Sequence, residues 1–411
     1  MQYVPVPVAM LETGRSLPVD MWSPDGRLLL RKGQSIVSEQ QKRMLEAHEA
    51  CMTPVDANAW QKSFERVIRA MLRDGIDIET IAHTCMPEEI LESDYIVTAE
   101  VNGGWLDLQI ILQGLLYQGE AAISPLSRLQ GIQQKALELL KSNPDECLFI
   151  LFQALADPSL GYCATHALLC AVVCELTAEK LGVSDMARNT LFNAALVMNI
   201  GMAREQDRMA RQTSIINDAQ RKLIKEHPQK SHDILRTFGV DDIDQLDIVL
   251  WHHEADETHG LAGTLECRRI LRVADGFVAK MASRKTRLAM SPMGAVKAIF
   301  LESTQGSASP GAAMATALGF YPPGTYVQLV NGEKAVSVAR GRRANNPHVV
   351  SIINPGGMPL SKYIYRDTTD PHFAIRSPIN AEKVKVKVSL EKALKARAER
   401  GADPEPAPFK A

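Results

Sequence analysis

The chain has 411 residues, of which 45% are hydrophobic and 23% charged, with a net charge of −2. That is ample material for a sizeable core, so neither disorder nor a disulfide-dependent miniprotein is expected. The balanced charge excludes the basic excess of a generic nucleic-acid binder, and no nucleic-acid partner is expected.

The apolar stretch at residues 164–176 is interrupted by His166 and Glu175, so no membrane span is expected. Residues 1–15 lack a basic segment followed by an apolar run, so no secretory signal is expected either. The seven cysteines form no Cys-x-x-Cys pair. Cys170 and Cys174, one helical turn apart, read as small core residues in a reducing cytoplasm, and the location expected is cytoplasmic.

Residues 1–60 read as a small β-rich module. An Asp25-Gly26 turn feeds a strand at 27–31, and Ser38 caps a short helix. Residues 61–142 are helical, with Phe64, Val67, Ile68, Met71 and Leu72 on one face, and form a candidate regulatory region. Ser124-Pro125 opens a helix that Asn143-Pro144 breaks. Residues 146–300 are helix after helix, with turns at Gly161, Gly182, Gly239 and Gly260, inside a helical core placed at 143–317; His227-Pro228 reads as the end of one helix. Residues 303–311 read as a loop. Asn331-Gly332 then predicts a hairpin and 348–353 a third strand, making a β appendage over 318–370. Arg340-Gly341-Arg342-Arg343 reads as a solvated connection. Residues 371–411 read as a charged tail, a short helix running into disorder. The fold class is mainly α, with small β-rich modules on the N- and C-terminal sides.

Six of the ten histidines fall between 166 and 259, and imidazole is the commonest metal ligand. Tyr162, His166 and Cys170 share one helix face. Taken alone, His166 reads as a core histidine bonded to a carbonyl. His252 and His253 are adjacent, so on a helix their side chains point about 100° apart; both serve one metal only at a helix end or a crowded junction. Asp275 lies on an apolar stripe, where a carboxylate needs a metal or an arginine such as Arg272. His232 and His259 sit among polar neighbours and receive no role.

In order, His166, Asn199-Ile200-Gly201, His227-Pro228, His252-His253-Glu254 and Val273-Ala274-Asp275 resemble the HD-GYP family. These are HD-superfamily metallophosphohydrolases that cleave cyclic di-GMP. The resemblance covers residues 146–355. It includes the segment from Gly319-Phe320-Tyr321-Pro322-Pro323-Gly324 to Asn331-Gly332-Glu333, and at the start Leu28-Leu29-Leu30-Arg31-Lys32-Gly33-Gln34. It implies an HD-type helical bundle. It also implies that His227, His252 and His253 match one metal's ligands, and His166 and Asp275 those of a partner ion.

The departures are specific. The family's His-Asp-Ile-Gly-Lys is here Met198-Asn199-Ile200-Gly201-Met202, so the His-Asp signature and the lysine are lost. Residues 255–261 contain no Gly-Tyr-Pro element. Asn199 offers only a neutral oxygen where the family's bridging carboxylate stands. No catalytic residue is assigned, and at most one divalent transition metal, iron or manganese, is expected, weakly held. The resemblance therefore implies a degenerate protein of cyclic di-GMP signalling, acting by binding cyclic di-GMP or partners such as GGDEF-type proteins. The alternative is an active phosphohydrolase with a reduced metal site, and a third reading is a metal-free scaffold.

Overall fold

The structure, a computed structural model, describes residues 3–90, 103–157, 160–256, 258–283, 289–302 and 309–399. Chain contacts divide it into one unit of residues 1–103 with 107–135, and a second of 104–106 with 136–411. The cut after residue 135 falls within a helix.

The first unit holds β1 (Val4–Pro5), β2 (Met21–Trp22), β3 (Leu28–Leu30), α1 (Glu39–Ala47), β4 (Cys51–Met52), α2 (Pro54–Arg73) and α3 (Ile78–Ala82). It also takes most of α4 (Trp105–Gln118) and the first half of α5 (Pro125–Ser142). The strands form an antiparallel sheet in the order β1-β4-β2-β3. Asp25-Gly26 makes the β2–β3 turn because Gly26 adopts φ +83°, which costs glycine nothing. Ser38 and Thr53 cap α1 and α2 by accepting the amides of Gln41 and Asp56. Val19, Met21, Ile36, Leu45 and Trp60 close the core between sheet and helices.

The second unit is built around α7 (Tyr162–Lys180), whose residues 163–174 are all buried. That helix is long and apolar enough to cross a membrane, yet it is mostly buried inside the fold. Around it lie α6 (Pro144–Leu155), α8 (Asp185–Val197), α9 (Ala203–Arg211), α10 (Asp218–Thr237), α11 (Ile243–Trp251), α12 (Leu265–Met281), α13 (Pro292–Glu302) and α14 (Pro310–Leu318). Caps explain where several begin: Asn143 caps α6 with Pro144 at the first position, Ser184 caps α8, and Asn217 with Gln220 makes a reciprocal capping box on α10. Residues 303–308 of the expected loop lie outside the described residues.

The chain then forms a five-stranded antiparallel sheet, β8-β7-β6-β5-β9, from β5 (Tyr326–Leu329), β6 (Lys334–Ala339), β7 (His348–Ile353), β8 (Pro359–Asp367) and β9 (Ile375–Ile379). Asn331-Gly332 turns β5 into β6, with Gly332 at φ +92°. The appendage does not stop at 370. β9 pairs with β5 although Pro378 interrupts it, because an edge strand tolerates a missing donor. α15 (Leu390–Ala398) buries Ala393 and Ala396 in the sheet's core cluster, so the expected tail is structured to 399. Residues 400–411 lie outside the described residues. Arg340 is not a solvated connection: its guanidinium pairs with buried Asp145 at 2.6 Å and donates to the Ala317 carbonyl at 2.8 Å.

Candidate metal centre

His227-Pro228 does not end a helix. Both lie inside α10, which runs on to Thr237. Proline has no N–H for the carbonyl four residues back, that of Ile224. The His227 ring supplies the donor instead, with Nδ1 2.7 Å from Ile224 O. Because a carbonyl only accepts, Nδ1 carries the proton and Nε2 keeps its lone pair.

His252 reaches the same state by another route. α11 ends at Trp251, so His252 is its C-cap and Nδ1 lies 2.7 Å from the carbonyl of Val249. Its Nε2 is 3.2 Å from Nε2 of His227. With the helix finished, His253 is free to turn in beside its neighbour, its ring centroid 4.1 Å from that of His252 and 5.0 Å from that of His227. His227 and His252 are fully buried, whereas the His253 side chain is 42% exposed. Burial, reinforced by the charge of His253, pushes His227 down to about 4. Burial, then His253 and His227, hold His252 well below the ordinary histidine range. Both rings are therefore neutral near pH 7, the state a metal requires.

The other group joins α7 to α12. His166 Nε2 lies 2.8 Å from Asp275 Oδ1 and 3.4 Å from Cys170 Sγ, while Nδ1 lies 3.1 Å from the Tyr162 hydroxyl. His166 is thus bonded to a carboxylate and a phenol, not to a carbonyl. Arg272, the alternative partner for Asp275, turns to Asp256 at 3.5 Å. Burial would raise the Asp275 carboxyl, but the His166 hydrogen bond and the charges of His166 and His253 outweigh it and hold it below the usual carboxylate range. Asp275 Oδ2 is 4.0 Å from His253 Nδ1, so this carboxylate stands between the two groups.

Two supports carry no sequence signature. Ser231, fully buried on α10, accepts from the Gly201 amide at 3.0 Å and donates to the Met198 carbonyl at 2.7 Å, tying the 198–202 turn to the His227 helix. A Cβ on Gly201 would lie 2.8 Å from the Ser231 nitrogen and 2.9 Å from the His227 carbonyl, so only glycine permits this approach. The loop after His253 is held by buried Asp247, which accepts from the Leu261 amide at 3.0 Å and from the Thr264 hydroxyl, and which meets Arg268 at 3.5 Å. A histidine-centred reading passes over these residues because their task is to place backbone.

In the 198–202 turn, Met198 is fully buried, Asn199 is 3% exposed with its Nδ2 buried and unpaired, and Met202 is 9% exposed. His232 stays near the surface beside Asp233, and His259 is exposed.

The donor chemistry fits one divalent ion in the first group. The donor atoms of His227, His252 and His253 lie within 4.8 Å of one another, as do those of His166, Cys170 and Asp275. With metal–nitrogen bonds of about 2.1 Å, a 3.2 Å separation of two nitrogens corresponds to an angle of roughly 100° at the ion.

Residues 151–307 match the family model of the HD domain, a span that contains all six of these donors. No curated protein matches the chain. A solved structure, Bd1817, a HDG"Y"P protein from Bdellovibrio bacteriovorus, is similar over 73% of this chain and 94% of that one, at 16% identity and a TM-score of 0.37, a loose likeness in shape.

Proposed function

We propose, for an HD-superfamily protein whose HD domain spans residues 151–307, a role in cyclic di-GMP signalling as a metal-binding module that does not hydrolyse the nucleotide. One observation carries this reading. Among the described residues, Asp275 is the single carboxylate in either donor group, and its Oδ1 is engaged by His166 at 2.8 Å. Two-metal hydrolysis needs an anionic ligand shared between the ions. The neighbouring turn offers a buried thioether at Met198 and a neutral amide at Asn199.

His227, His252 and His253 would hold one divalent transition metal, iron or manganese. Such an ion supplies Lewis acidity toward a phosphoryl oxygen. The chain's part is to orient the donors: the Ile224 and Val249 carbonyls fix the two buried rings, so Nε2 and not Nδ1 faces inward. On this reading the partners are cyclic di-GMP itself or a GGDEF-type protein.

The exposure of His253 favours a second reading, a single-ion phosphohydrolase, because it leaves the trio an open side. Metal analysis of the purified chain, followed by incubation with cyclic di-GMP and Mn²⁺ or Fe²⁺, separates the two. The proposal expects binding without product. Linear pGpG or GMP forming at about 0.01 s⁻¹ or faster, slow for an ordinary enzyme, establishes the second reading instead.

A further inference from the structure

We infer that Cys170 is a metal ligand, and that His166, Cys170 and Asp275 form a second, thiolate-containing site selective for a thiophilic divalent ion of the zinc class. The resemblance implied His166 and Asp275 as ligands of a partner ion, with at most one ion expected and Cys170 read as a small core residue; the new element is the thiol. The structure puts that cysteine's sulfur 3.4 Å from the same His166 nitrogen that meets Asp275 at 2.8 Å. Three different donors converge there, all within 4.8 Å of one another.

The spacing suits a small ion. With zinc–sulfur and zinc–nitrogen bonds of about 2.3 and 2.1 Å, the sulfur–nitrogen separation corresponds to roughly 100° at the ion; the nitrogen–oxygen separation corresponds to roughly 90°. The donors are also fixed in advance. His166 and Cys170 stand one turn apart on α7, 1% and 0% exposed, and Asp275 faces them from α12. Without an ion, Nε2–H donates to Asp275; for Nε2 to take an ion the ring proton must pass to Nδ1, where the Tyr162 oxygen can accept it. Without an ion, burial and then the Asp275 charge hold the Cys170 thiol protonated. Coordination would release that proton to solvent.

A thiolate changes which metal is taken. Sulfur donors favour zinc over magnesium or manganese, whereas three imidazoles accept iron, zinc or copper without it. The two halves of the cavity would then differ in metal preference. This site does not require that the trio be loaded.

The test uses the full chain, stripped with a chelator and titrated with Co²⁺ alone as the probe. The parent should develop a near-ultraviolet thiolate-to-cobalt charge-transfer band. That band should vanish in Cys170→Ala and Cys170→Ser, persist in Cys174→Ala, and persist in His252→Ala, with circular dichroism confirming that each variant is folded. Zinc affinity should fall by about 10-fold or more in Cys170→Ala. Visible cobalt bands in the parent without the charge-transfer band, or a band that survives both Cys170 variants, overturn the assignment, as does a failure of the folded parent to bind cobalt. Loss of the band in His252→Ala shows one mixed site and overturns the claim of a second.

Discussion

Nε2 of His227 and Nε2 of His252 face each other at 3.2 Å, and neither carries a proton. Each ring has given its Nδ1–H to a carbonyl three residues back on its own helix. Two lone pairs directed at one point repel unless a cation lies between them, and both rings are fully buried, away from water that would screen them. The folded chain therefore holds a ready ligand pair at a cost in stability that an ion would offset.

The first expectation follows directly. Mn²⁺ or Zn²⁺ should raise the melting temperature of the parent, and the part of that rise due to the trio should disappear in His252→Ala. At an ion concentration 100 times the Kd, mass action stabilises by about 2.7 kcal/mol, a shift of a few degrees for a chain of this size. A rise of equal size in parent and variant would show that the trio binds nothing.

Repair of the lost signature is the second. Met198→His with Asn199→Asp should lower stability in chelator, because each leaves a polar group unpaired in a buried turn, at about 1–3 kcal/mol apiece. Added Mn²⁺ should recover it and introduce cyclic di-GMP hydrolysis that, on the proposed function, the parent does not perform. Melting curves with and without the ion read the first effect, and nucleotide chromatography reads the second. A double variant that metal cannot rescue would mean that the cavity no longer accepts a bridged pair.

The loop behind His253 gives a third. A Cβ on Gly260 would fall 2.0 Å from Nη1 of Arg268, whose guanidinium is buried against Asp247. Gly260→Ala should cost about 1–3 kcal/mol in denaturant unfolding and should also reduce the metal-dependent melting shift. Gly263→Ala, where a Cβ meets nothing within 4 Å, is the matched control and should leave both unchanged.

Acid stability supplies the fourth. Glu333 receives Arg366 through two nitrogens at 2.6 and 2.8 Å, and the Ser351 hydroxyl at 2.6 Å. The Arg366 hydrogen bonds hold its carboxyl down at about 2, against 4.5 ordinarily. A depressed carboxylate contributes stability that is complete above the unfolded value and is lost as pH falls from 4.5 through about 2. Glu333→Gln should lower stability at pH 7 by about 2–3 kcal/mol, and the difference from the parent should shrink steadily below pH 4.5. A difference that stays constant down to pH 2 would refute the assignment.

Much of the architecture was legible because it rests on local chemistry. Asn331-Gly332 permits the left-handed turn that joins β5 to β6, and Ser38 and Asn143 cap helices whatever packs on them. The clustering of six histidines in one helical block, and the requirement that His252 and His253 sit at a helix end to act together, were also visible in the chain. Pro228 misled for a physical reason. Proline removes a backbone donor, but the adjacent His227 side chain replaces it at Ile224, so the helix continues. β9 was hidden because Pro378 and its polar neighbours resemble a loop until a partner strand is present.

The sequence by itself determined the inventory: which imidazoles, thiols and carboxylates exist, on which helices, and that Met198 and Asn199 stand where the resembled family has a histidine and an aspartate. Only the tertiary structure decided the pairings. Asp275 could have met Arg272, three residues away, yet it meets His166, 109 residues away, because the packing of α12 on α7 turns its carboxylate inward. The 3.4 Å approach of Cys170 to His166 is by contrast local, since the two stand one turn apart on the same face of α7. Helical periodicity fixes the face a side chain occupies, but which face of another helix lies opposite depends on the summed burial of the whole core, and no local window of sequence contains that sum.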